Sequence, residues 1–126
     1  MGPGLGYLAA RLGMHQPTDA EREQLILALR DSILRRCSPQ QIIVFGSVLG
    51  KAFTHASDLD CAVIFADRAS LNLGRKKLYC APSLIDYSVD LLLYEQAEFL
   101  RKAGEGGICQ VIQETGRGIY DQKSEI

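Results

Sequence analysis

The sequence predicts a small α/β (α+β) domain, a mixed β-sheet with helices packed against it. Three observations predict this. Three short apolar runs rich in β-branched and aliphatic residues, 41–45, 59–65 and 89–94, read as buried strands. The segments around them carry helical spacing or turn residues. The length of 126 residues, with 47% hydrophobic and 23% charged residues, suits one globular domain and argues against long disorder. The expected division is a flexible N-terminal arm over 1–16 and a single domain over 17–126.

The arm carries Gly2, Gly4, Gly6 and Gly13 with a Pro, and its apolar residues keep no clear period. At Pro17-Thr18-Asp19-Ala20-Glu21 the chain changes character. Thr18 and Glu21 have the spacing of a capping box, in which hydroxyl and carboxylate each satisfy the other's backbone amide. Leu25, Ile26, Leu29, Ile33 and Leu34 then share one helical face, with Arg22, Glu23, Arg30 and Arg35 elsewhere. Cys37-Ser38-Pro39 ends this helix, because proline has no amide to donate and disfavours helical geometry before it.

Gln41 to Phe45 is the first strand, closed by Gly46 and followed by a turn leading into a helix. Leu59 to Phe65 is the second strand and Val89 to Tyr94 the third. Leu71 to Cys80 suits a short helix between them, carrying Arg75, Lys76 and Lys77. Glu95 to Lys102 is helical, Gly104 to Gly107 interrupts it, and Ile108 to Thr115 resumes.

Charge and composition exclude several classes. Fourteen Lys and Arg against fifteen Asp and Glu leave a net charge of −1, which gives no strong nucleic-acid signal. No apolar run is long enough to span a membrane. The first residues lack the pattern of a signal peptide, and Cys37, Cys61, Cys80 and Cys109 show no CxxC spacing. Free thiols and a cytoplasmic location are expected.

Each strand brings a polar feature to one of its ends. The first runs into Gly46-Ser47, where a residue without Cβ lets the backbone approach a ligand and the next amides can meet an anion. The second opens with Ser57-Asp58-Leu59-Asp60. Side chains alternate along a strand, so Asp58 and Asp60 share a face. The third carries Asp90 within an apolar run, which predicts a buried carboxylate in need of a partner. Three acids gathered at one site repel one another unless a cation lies between them. Hard oxygen ligands suit Mg2+ or Mn2+, and two such ions bridging carboxylates to a polyphosphate can drive in-line displacement at phosphorus.

Gly46-Ser47, ten intervening residues and Asp58-Leu59-Asp60 together resemble the GS…DxD signature of the DNA polymerase β-like nucleotidyltransferase superfamily. The chain is similar in particular to the minimal nucleotidyltransferase domains, including antitoxin-type ones, over about Gln41 to Tyr120. The resemblance implies that Asp58 and Asp60 bind two metal ions. Asp90 would bind the catalytic ion and help deprotonate an acceptor hydroxyl. Ser47 and the Gly46 backbone would contact the β- and γ-phosphates. Lys51 would supply a basic phosphate contact, although many members carry Arg-Gly where this chain has Gly50-Lys51. The implied activity is transfer of NMP from an NTP, with ATP the expected donor, to a hydroxyl with release of pyrophosphate. The implied partner is a HEPN-type toxin or a second copy of the chain. A non-catalytic binding module of the same fold and an antibiotic-type transferase are the alternatives.

Other residues read more plainly. Asp86 is expected at the surface, and Arg75, Lys76 and Lys77 on a solvated helix face. His15 and His55 are isolated loop residues. Tyr79, Tyr87 and Tyr94 are expected to pack at the edge of the core, and the stripe on the first helix to face the core.

Overall fold

The computed structural model describes residues 17–51, 53–54, 57–80 and 83–124. The expected arm over 1–16, with His15, lies outside them, as does His55. Helix α1 (Asp19–Arg36) begins at the capping box: Thr18 Oγ1 accepts from the Glu21 amide at 3.1 Å, and Glu21 Oε1 accepts from the Thr18 amide at 2.7 Å. Strand β1 (Gln41–Phe45) runs into a 3-10 turn, Gly46–Leu49. Strand β2 (Leu59–Phe65), helix α2 (Arg68–Tyr79) and strand β3 (Val89–Glu95) form a parallel crossover unit. Helices α3 (Gln96–Glu105) and α4 (Gly107–Thr115) follow, then strand β4 (Arg117–Asp121) and a last 3-10 turn, Gln122–Ser124.

The sheet order is β3-β2-β1-β4, with β2 and β3 parallel and the other two pairs antiparallel. Its two faces hold two cores. Ile42, Val44, Leu59, Cys61, Val63 and Phe65 pack with Ile26, Leu29 and Ile33 of α1 and with Leu71 and Leu78 of α2. Ile43, Phe45, Ala62 and Ile64 pack with Phe99 and Ala103 of α3 and with Cys109 and Ile112 of α4. A sheet covered on both faces explains why its strands read as continuous apolar runs rather than alternating ones. The expected helical stripe on α1 is the core face, with Ile26, Leu29 and Ile33 buried and Leu25 and Leu34 packed at its margin. All four cysteines are free.

Three local expectations change. A fourth strand, β4, takes up 117–121; the sequence there is polar at one end and glycine-containing, because an edge strand needs no apolar run. The segment after β1 is a single 3-10 turn rather than the start of a longer helix. The break between α3 and α4 is Gly106 alone, with φ of 101°, while Gly104 stays helical and Gly107 opens α4. No helix among the described residues is long and apolar enough to cross a membrane.

Candidate active site

Strand direction brings the polar features together. Because β1 is antiparallel to β2 and β2 is parallel to β3, the end of β1 and the starts of β2 and β3 lie along one sheet edge. Asp60 sits in the middle of this edge, opposite Phe45 on one side and Asp90 on the other. Alternation puts Asp60 and Asp90 on the face that further along carries Ala62, Ile64, Leu92 and Tyr94 beneath α3 and α4. Asp60 is half-buried, and Asp58 and Asp90 are exposed.

The expected burial of Asp90 is therefore corrected. β3 is an edge strand, half-buried along its length, so a carboxylate meets water inside an apparently apolar run. Asp60 carries the tension instead. Burial raises its carboxyl above the ordinary value first, and the charges of Asp90 and Asp58 raise it further. Asp58 accepts a hydrogen bond from the Ser88 hydroxyl at 2.6 Å, and the Leu59 amide donates to the Ser88 carbonyl at 2.9 Å. Ser88 thus ties the segment before β3 to the start of β2, a role the sequence did not disclose because nothing local marks it.

Gly46 is required where it stands. Its φ of +77° is left-handed, and a Cβ there would lie 2.5 Å from Asp60 Oδ2. The turn it opens therefore rests directly against the central acid. Ser47 follows, half-buried, with its carbonyl accepting from the Gly50 amide at 3.0 Å. Lys51 is exposed just beyond Gly50 and does not line the pocket beside Asp60.

Two open pockets flank the acids. One of about 500 Å³ reaches from Gly46, Gly50 and Asp60 to Ile108, Val111 and Thr115 of α4. The other, about 510 Å³, lies beside Asp90 and is lined by Tyr79, Tyr87, Leu84 and Leu91 among others. Tyr87 stays half-buried against Phe53, with centroids 5.9 Å apart, and donates to the Thr54 carbonyl at 3.0 Å. Tyr94 packs on Phe99 as expected, at 5.5 Å, whereas Tyr79 is 56% exposed at the pocket rim. Asp86, Arg75, Lys76 and Lys77 are on the surface, as expected.

A model of the nucleotidyltransferase domain matches residues 26–117, most of the chain. The chain belongs to this family. Its glycine-serine turn and its acids all fall within the matched span. Among solved structures it is similar to a candidate nucleotidyltransferase from Sulfolobus solfataricus, at 14% identity with a TM-score of 0.51, over 98% of this chain and 94% of that one. At that identity the likeness carries the nucleotidyltransferase fold. A comparison with curated proteins finds no match.

The residues of this nucleotidyltransferase domain suit a divalent cation by donor chemistry. The acids offer hard oxygens on adjacent strands, and the mutual repulsion felt at Asp60 is the kind a bound cation reverses. Among the described residues, no three His, Cys, Asp or Glu side chains are grouped so as to hold a metal ion by themselves, and the expected gathering of three acids is corrected to that extent. Mg2+ typically keeps waters and substrate phosphates as ligands, so a few carboxylates on one edge match its habit better than a closed cage would.

Proposed function

We propose that this domain transfers a nucleoside monophosphate from an NTP, ATP first among donors, to a hydroxyl acceptor. The observation that carries the reading is the register: Asp60 lies beside Asp90 on one strand and against Gly46 at the end of another. One edge thereby combines an anion-binding turn with paired carboxylates.

In this reading Gly46 and Ser47 hold the β- and γ-phosphates, with Lys51 available as a more distant cation. Asp58, Asp60 and Asp90 would hold Mg2+ or Mn2+, which supplies charge neutralisation at the phosphates and lowers the pKa of the attacking hydroxyl. Asp90, exposed at the second pocket, takes the acceptor's proton. The acceptor oxygen bonds to the α-phosphorus while the bond from that phosphorus to the β-phosphate oxygen breaks, and pyrophosphate leaves. The acceptor is proposed to be a protein, a HEPN-type toxin with this chain as its antitoxin in the cytoplasm. Wild-type chain with Mg2+ and ATP labelled at the α-phosphate should label such a partner and release pyrophosphate. Asp58→Ala with Asp60→Ala should bring both signals to background with the circular dichroism unchanged. Full labelling by the double variant would overturn the proposal.

A further inference from the structure

The glycine-serine turn is bracketed from behind by a residue of the first helix. Arg22 Nη1 donates to the Val48 carbonyl at 3.2 Å and to the Gly50 carbonyl at 2.9 Å, while its Nη2 donates to Asp19 Oδ1 at 2.6 Å. The side chain is only 24% exposed although Asp19 is 94% exposed, so the guanidinium is seated and its carboxylate partner is in water. Arg22 lies in the first turns of α1, directly after the capping box that starts the helix at a defined residue. It also lies upstream of the matched family span, 26–117.

A short helical turn leaves amides without partners at its start and carbonyls without partners at its end. Arg22 satisfies two such carbonyls, with charge-assisted bonds spanning the end of the turn. The start of the same turn, at Gly46, stays against Asp60. A four-residue turn has little stiffness of its own, so its orientation must come from outside it.

We propose that Arg22 is a positioning residue for the glycine-serine turn: by bonding the Val48 and Gly50 carbonyls it fixes Gly46 and Ser47 beside Asp60, where the proposed triphosphate would bind. This rests on the nucleotide reading above and adds to it a residue outside the signature. It predicts an effect on phosphate affinity rather than on the acids.

The test titrates the full chain calorimetrically with ATP and, separately, with inorganic tripolyphosphate, both with Mg2+. Arg22→Met keeps much of the apolar stem and removes the donors; it should weaken both ligands about tenfold, in line with the loss of charge-assisted hydrogen bonds. Arg22→Lys, keeping the charge and one donor, should recover part of the loss. A folded Arg22→Met chain that binds both ligands as wild type overturns the role, as does a loss for ATP without a loss for tripolyphosphate. Should Arg22→Met not fold, Arg22→Lys decides: intermediate tripolyphosphate affinity supports the role and wild-type affinity overturns it. A wild-type chain that binds neither ligand removes the nucleotide reading itself, and this role with it. Intact wild-type binding that Arg22→Met leaves unchanged removes only the role.

Discussion

The two ends of strand β2 are built to opposite specifications. At the far end, Cys61 to Phe65 are all at or below 1% exposure, pressed between α1 and α2 on one face and α3 and α4 on the other. At the near end stand Asp58, just before the strand, Asp60, and Asp90 opposite it on β3, all exposed or half-buried. Stability is concentrated at one end, and charge that costs stability is placed at the other, where water and a ligand can compensate it.

The largest effect should come from the covered end. Phe65→Ala removes a fully buried ring and should cost about 3–5 kcal/mol, read as a lower midpoint in urea unfolding. A cost under about 1 kcal/mol would mean that the two ends are not so different. Next comes Gly74→Ala in α2. An added Cβ would lie 2.3 Å from Phe65 Cζ, and overpacking of this kind costs about 1–3 kcal/mol in the same measurement.

Gly46→Ala tests the open end. The left-handed backbone alone should cost about 1–2 kcal/mol. The new methyl must also displace the Asp60 carboxylate, so ATP binding should fall further than stability does, checked by calorimetry against thermal melting.

The smallest effect has the opposite sign. Asp60 has a carboxyl raised above the ordinary aspartate value, so the folded state holds its proton more tightly than the unfolded state does. Below the unfolded pKa both states are protonated and there is no penalty. As pH rises through the folded pKa the penalty grows to its full value. Asp60→Asn should therefore be more stable than wild type at neutral pH, by less than about 1 kcal/mol because solvent screens so open a site. The gain should shrink as pH is lowered toward 4, seen as converging melting temperatures, roughly at the ordinary carboxylate range. A stability gain that is flat with pH would show that the near end bears no electrostatic cost.

The capping box at Thr18 and Glu21, the three apolar strands and the Gly46, Ser47, Asp58, Asp60 and Asp90 pattern are local facts, carried by side-chain types at fixed spacing. They sufficed for the fold class, and they are the basis of the proposed acids. The sequence did not disclose β4, whose exposed edge needs no apolar run, nor the shortness of the turn after β1. Ser88 and Arg22 were invisible for a common reason. Each acts on atoms about 26 to 30 positions away, and no local periodicity encodes such a contact.

The sequence by itself determined three of the four strands and which residues carry charge, since apolar runs and turn residues act over a few neighbours. Tertiary structure alone decided that Asp60 lies between Asp90 and Gly46, because strand direction and register are settled by packing across the sheet. It also decided that Asp90 meets solvent: β3 lies at the margin of the sheet, and strand order is a property of the assembled sheet.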